Sequence, residues 1–271
     1  MKKYIEGETK EQRKRRKQQE KLEKPPADFS SPTLSTSKKN YVLCLKHGTK
    51  YDAKYVNRLY NMIKRNCTLE YEFVCLTENP KGLNENISVL PLPSGLQGWW
   101  YKPYIFSKDL PLNGTVLYLD LDVVIAANID KLFTYHPEHW CTVRDFTRAM
   151  RPKWHKYNSS IIRFNTGELD FVWNEFIKDS VVIQRKYFGD QDYLYEATRK
   201  KQAMLYPDSW IQSWKWEVRK NREYAPGGRR GARKLKYVED AVPRPECCVT
   251  VFHGDPNPEL CDDPWVVDNW K

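Results

Sequence analysis

The chain has 271 residues, 40% of them apolar, and a net charge of +10. That is enough apolar surface for one sizeable core, and the basic balance bears on partners (nucleic acid, anionic membrane, phosphate-bearing substrates) rather than on fold. No apolar run approaches the roughly 18–20 residues that span a bilayer, and the first residues lack the apolar stretch of an export signal.

Residues 1–24 carry ten Lys/Arg against five Glu, and 25–39 (PPADFSSPTLSTSKK) are rich in Pro, Ser and Thr. Neither stretch buries enough surface to offset its ordering entropy. The expectation is a disordered basic tail and linker over 1–39 and one folded domain over 40–271. YVLCL (41–45) reads as a first strand. In 51–66, Tyr55, Leu59, Met62 and Ile63 share one face, which predicts an amphipathic helix. EFVCLT (72–77) and ISVLPL (87–92) read as two more strands, and WWYKPYIFS (99–107) as an aromatic segment that becomes helical after Pro103. Strands alternating with helices predict an α/β fold with a mostly parallel sheet. Cys44 and Cys75 sit inside apolar strands, so the seven cysteines read as free thiols of a reducing compartment, and a cytoplasmic location is expected.

TVLYLDLDVVI (115–125) is a long apolar run broken by Asp120 and Asp122. Ligands of open α/β sheets bind at the carboxyl ends of strands, where these two carboxylates stand. Side chains at i and i+2 of an extended chain point the same way and can share one hard divalent cation. Asp-x-Asp alone is weak, since it recurs at Asp190 and Asp192. That second pair also suits the first turn of a helix over 193–201. A further β-rich run, VTVF (249–252), ends in His253 and a turn. A neutral imidazole beside two carboxylates suits manganese better than magnesium, so Asp120, Asp122 and His253 are the expected metal ligands.

These pieces, in this order, resemble the GT-A glycosyltransferases of family 8, the group that includes glycogenin and bacterial galactosyltransferases. Residues 41–45 followed by Thr49 and Tyr51 resemble the first strand and the loop over the nucleotide base. Trp100, Tyr101 and Lys102 resemble the segment whose lysine lies by the donor's ribose and phosphates. Leu119, Asp120, Leu121 and Asp122 resemble the DxD motif. Asn158, Ser159 and Ser160 resemble the strand beside the donor sugar, and Gly189, Asp190, Gln191 and Asp192 the segment near sugar and acceptor. His253, Gly254 and Pro258 resemble a carboxy-terminal HxxGxxKPW stretch. Here the sequence departs: Asn257 stands where that stretch has the lysine that contacts the diphosphate, and the lost charge falls to Lys102, Arg163 or the basic residues 229–236.

The resemblance implies a Rossmann-like GT-A fold, a UDP-hexose donor (glucose or galactose), manganese or magnesium, and transfer with retention of configuration. It implies catalytic roles for Asp190, Gln191 and Lys102. Donor contacts fall to Thr49, Tyr51, Lys102, Asp120, Leu121, Asn158 and Gly254. For the acceptor, a carbohydrate or lipid-linked sugar competes with DNA carrying a hydroxymethylated base. The DNA alternative draws on the basic tail and on Trp210, Trp214 and Trp216 leading into the basic block 219–236. A nucleic-acid-binding module without transferase activity, and a phosphotransferase or nuclease using the same aspartates, are the rival readings. The chain lacks the GxxxxGK[ST] phosphate loop.

Overall fold

The computed structural model describes residues 38–219 and 242–271. The tail and linker up to residue 37, and residues 220–241 with nearly all of the second basic block, lie outside them. The domain begins at Lys39 with β1 (Lys39–Lys46). The predicted helix is α1 (Ala53–Asn66), which starts where the Asp52 carboxylate caps the Lys54 amide and ends in Lys64 and Arg65. It buries Tyr55, Val56, Leu59, Met62 and Ile63. β2 (Glu72–Thr77) and β3 (Ser88–Leu90) follow as expected.

The segment Gly98–Phe106 is a 3-10 helix that begins ahead of Pro103 rather than after it. The reason is its period: at three residues per turn, Trp100, Pro103 and Phe106 fall in one column, and all three are buried. Trp99 and Lys102 share the next column, and Trp99 is half-exposed.

The run 115–125 splits into β4 (Gly114–Leu119) and β5 (Val123–Ile125), which belong to different sheets. After them come α2 (Asp130–Thr134), β6 (Cys141–Arg144), β7 (Tyr157–Asn165), α3 (Asp170–Lys178), α4 (Ser180–Lys186), α5 (Asp190–Ala197) and β8 (Met204–Leu205). β9 (Ile211–Ser213) leads into a π-turn over Trp214–Val218, and β10 (Val249–Val251) precedes α6 (Pro264–Asn269).

Seven strands form the main sheet in the order β3-β2-β1-β4-β7-β6-β8. β1–β2, β1–β4, β2–β3 and β6–β8 pair parallel, and β4–β7 and β6–β7 antiparallel. The smaller sheet runs β5-β10-β9. Both faces of the main sheet are covered, so the central stretches of β1 and β4 bury apolar side chains on both faces. Val42, Cys44, Leu117 and Leu119 face α1, while Tyr41, Leu43, Val116 and Tyr118 face the 3-10 helix and α3. β4 opens at Gly114 (φ +142°), where a Cβ would stand 2.0 Å from the Lys39 carbonyl oxygen. Only glycine lets the two strands meet there. All seven cysteines are free. Among the described residues, no helix is long and apolar enough to cross a membrane.

Candidate active site

β4 stops at Leu119, and the chain bends through Asp120, Leu121 and Asp122 as it passes from the large sheet to the small one. The two aspartates are the corner between the sheets. The Asp120 amide donates 2.8 Å to the Ser160 carbonyl, and the Asp122 carbonyl accepts from the Phe252 amide at 2.9 Å. Each end of the motif is thereby fixed to a different sheet. The Leu121 side chain is buried, so only its main chain can face a donor.

Asp120 sits in a dense ionic cluster. Tyr118 Oη donates to its Oδ1 at 2.7 Å. Lys102 Nζ lies 2.9 Å from Asp120 Oδ1 and 3.3 Å from Asp190 Oδ2. The same ammonium donates to the Ser159 carbonyl and hydroxyl, each at 3.2 Å, and that hydroxyl donates 2.7 Å to Asp190. Burial pulls the Lys102 pKa down, but the charges of Asp120 and Asp190 overcome it and hold the ammonium firmly protonated. Asp190 and Asp192 occupy the first turn of α5, so Asp190 satisfies the helix terminus and the site together.

Asp122 is in different surroundings. Tyr51 Oη donates to its Oδ2 at 2.9 Å. Burial, and then the charge of Asp120, push its carboxyl up to about 6, against the lowering effect of the Tyr51 bond. The Tyr51 ring packs against Tyr55 at 4.6 Å and under Lys50 at 4.5 Å. The loop predicted to cover the base thus also anchors the second aspartate. Thr49 lies exposed on the adjoining turn.

A β-bulge supplies the third side of the site. Thr142 pairs with Ile162 and Val143 with Asn158, so residues 159–161 are extra on β7. The Thr142 hydroxyl lies 2.9 and 3.0 Å from the carbonyls of Asn158 and Ile161, closing the bulge. Asn158 Nδ2 donates to Gln191 Oε1 at 3.1 Å, and Gln191 Nε2 donates to Asp145 Oδ2 at 3.0 Å. Asp145 went unread in the sequence. Its signal, an acid directly after the short and only half-apolar strand CTVR, is weaker than that of Asp120.

His253, the third expected ligand, is turned toward a neighbouring hydroxyl. Its Nε2 lies 2.6 Å from Ser213 Oγ, and its ring stacks on Phe146 at 5.4 Å and meets Trp216 edge-on at 4.6 Å. Among the described residues, no three His, Cys, Asp or Glu side chains gather as a metal-holding group. The backbone still brings the pieces together, because β10 pairs antiparallel with β5 and sets Phe252 against Asp122. Asp120 and Asp122, with the latter's carboxyl raised by the former's charge, fit a divalent cation that would relieve their repulsion.

Two further expectations are corrected. Arg163 is fully buried and spends its guanidinium on the carbonyls of Tyr135, His136 and Pro137, where it cannot reach a donor phosphate. Trp210, Trp214 and Trp216 are not a stacking platform. Trp214 is buried, donates 2.7 Å to Asp263 and stacks on Phe252, and Arg219 pairs with the same Asp263. Trp210 packs on Tyr135 under Lys131, and Trp216 against His253. Trp214 is buried and the other two rings are half-buried, each packed on other residues of the domain.

No protein-family model matches the chain, and no curated protein matches its sequence. Solved structures do. A galactosyltransferase, LgtC, solved with donor and acceptor sugar analogs, superposes with a TM-score of 0.54 at 13% identity, over 82% of this chain and 90% of that one. The glycosyltransferase GlyE of Streptococcus pneumoniae matches with a TM-score of 0.57 at 13% identity, over 81% of this chain and 56% of its own. The bifunctional WbbM matches at 0.53 and 13%, over 88% and 52%. The chain therefore has the GT-A fold of these glycosyltransferases.

Proposed function

We propose that the chain is a glycosyltransferase that moves a hexose from a UDP-sugar to a carbohydrate acceptor, with retention of configuration. The observation that supports this most is the corner Asp120–Asp122. It offers two adjacent carboxylates, one of them raised to about 6, at the carboxyl end of a central strand in a fold shared with glycosyltransferases. Asp120 and Asp122 would hold manganese or magnesium, with His253 as third ligand once its Nε2 leaves Ser213. When bound, such an ion supplies Lewis-acid stabilisation of the departing diphosphate.

The protein's own groups do the rest. Lys102 balances Asp120 and Asp190 and sets the field beneath the transferred sugar. Asp190 and Gln191, on the first turn of α5, face the bulge carrying Asn158 and Ser159, where the sugar hydroxyls and its developing positive charge would be met. The loop with Thr49 and Tyr51 would take the base, and the main chain at Leu121 and Gly254 would line the nucleotide.

The test is release of UDP from UDP-glucose and UDP-galactose with and without manganese, for wild type and Asp122→Asn. Metal-dependent release that falls about 10²–10³-fold in the variant is expected. Release that needs no metal and survives the substitution overturns the proposal. An acceptor panel of oligosaccharide, lipid-linked sugar and hydroxymethylated DNA then identifies the acceptor. Label appearing only on the DNA would replace the carbohydrate reading.

A further inference from the structure

The stretch 145–156 between β6 and β7 is more basic than its own folding requires. It carries Arg148, Arg151, Lys153 and Lys156 against a single acid, Asp145. The arginines at its root are structural. Arg144 pairs with Asp208 and donates 2.9 Å to the Pro152 carbonyl, and the buried Arg148 pairs with Glu217 at 3.0 Å. The neck is pinned where the Asp145 amide donates 2.8 Å to the Lys156 carbonyl. The tip turns where the Trp154 amide donates 2.8 Å to the Arg151 carbonyl. The shape of the loop is thus set without the charges of its outer cations.

Those outer cations have different surroundings. Arg151 and Lys153 are exposed, and neither pairs with a carboxylate among the described residues. The Trp154 ring stands between two of the charges, with the Arg151 guanidinium 5.8 Å and the Lys156 ammonium 5.7 Å from its centre. Lys156 also lies 5.7 Å from the Tyr195 ring and 3.4 Å from Asp192 Oδ1. Three like charges held within six residues, against one carboxylate, repel one another, and a bound anion would relieve them.

The first turn of α5 shows where this cluster stands. Asp190 meets Lys102 and through it the Asp120 corner. Gln191 meets Asn158 and Asp145, and Asp192 meets Lys156. Along that turn the order is carboxylate corner, sugar side, basic loop. The loop therefore stands where an acceptor would approach a sugar held at Gln191. Trp154 is half-buried with a cation on each contact, so the cluster offers charge rather than a stacking face for bases.

We propose that Arg151, Lys153 and Lys156 form an anion subsite for the acceptor, and that the acceptor is an acidic glycan bearing phosphate or carboxylate near the modified sugar. This rests on the transferase reading above and narrows its acceptor. Arg151 supplies a planar fork that matches either anion, and the two lysines add charge.

Binding of the full chain to fluorescently labelled maltohexaose, its phosphorylated form and hexagalacturonate tests it, at low and at high salt. At low salt the anionic probes should bind about tenfold tighter than the neutral one, and the gap should narrow as salt rises. Arg151→Gln/Lys153→Gln should close that gap, while Arg151→Lys/Lys153→Arg, which keeps the charge, should retain it. Equal wild-type binding of neutral and anionic glycans overturns the proposal. So does a preference in the glutamine variant within about threefold of wild type. Should that variant melt lower than wild type, Lys153→Gln alone must still weaken anionic binding, and an unchanged affinity there overturns the proposal too. Single-stranded DNA of equal charge bound more tightly than either anionic glycan overturns the glycan assignment. Failure to release UDP from either sugar nucleotide, with the anionic preference intact, counts against the transferase reading and not against the anion site, which keeps the two failures distinct.

Discussion

The two halves of the site are built on different principles. Around Asp120, on the large sheet, every group is answered by charge: Lys102 between two carboxylates, Tyr118 and Ser159 donating to them. Asp122, where the chain enters the small sheet, takes a phenol, and that sheet carries an imidazole held by a hydroxyl and an ammonium on a carbonyl. The first half answers its two carboxylates with one shared ammonium and two hydroxyl donors. The second holds a carboxylate whose ionisation the fold disfavours. A buried carboxylate paired with its own cation is fixed in geometry, while one without a cation needs a partner.

The contrast can be broken most forcefully at Lys102. Lys102→Met leaves Asp120 and Asp190 together without their cation, and a loss of about 3–5 kcal/mol in urea unfolding is expected. If stability holds, the large-sheet half is not organised by charge. Asp122→Asn is the opposite case. The folded state disfavours an ionised Asp122, so the wild type without metal loses stability as pH rises from the usual carboxylate range through about 6. The asparagine variant should lack that decline and melt no lower than wild type at neutral pH, although donor turnover collapses.

A finer probe is Asp145→Ala. It removes the carboxylate that fixes Gln191 and the cap on the Thr147 amide. Turnover about tenfold lower, at unchanged UDP affinity, would mark Asp145 as a positioning residue of the sugar side only. The smallest effect is expected far from the site. Burial raises the Asp130 carboxyl, but the hydrogen bonds from Thr68 and Asn128 together outweigh it and hold it at about 2. That stabilisation is present above the ordinary carboxylate pKa and is lost as pH falls toward 2. Asp130→Asn should flatten the acid limb of a thermal unfolding profile without touching the limb near pH 6.

Much of the large-sheet half was legible in the chain. Apolar strands of five or six residues, and the face of α1, follow directly from periodicity. Asp120 and Asp122 stand out because acids interrupt an apolar run. The bulge at residues 159–161 was not legible as a bulge, since it is a register shift against a partner strand and leaves no mark on one sequence. Asp145 was missed because β6 is only four residues long. The small-sheet half was hardest to foresee. Ser213 and Lys215 lie about forty residues from His253, and the parallel pairing of β9 with β10 joins them. The aromatic block 210–216 misled for the same reason, because its rings pack on Phe252, Asp263 and Tyr135, which are distant in sequence.

The bend at residues 120–122 has a mechanical side. One aspartate is moored to the large sheet through the Ser160 carbonyl and the other to the small sheet through the Phe252 amide. The gap between their carboxylates is therefore a gauge of how the sheets sit against each other. An ion bridging that gap would act as a rivet between the two layers, so that loading the donor and stiffening the domain become one event.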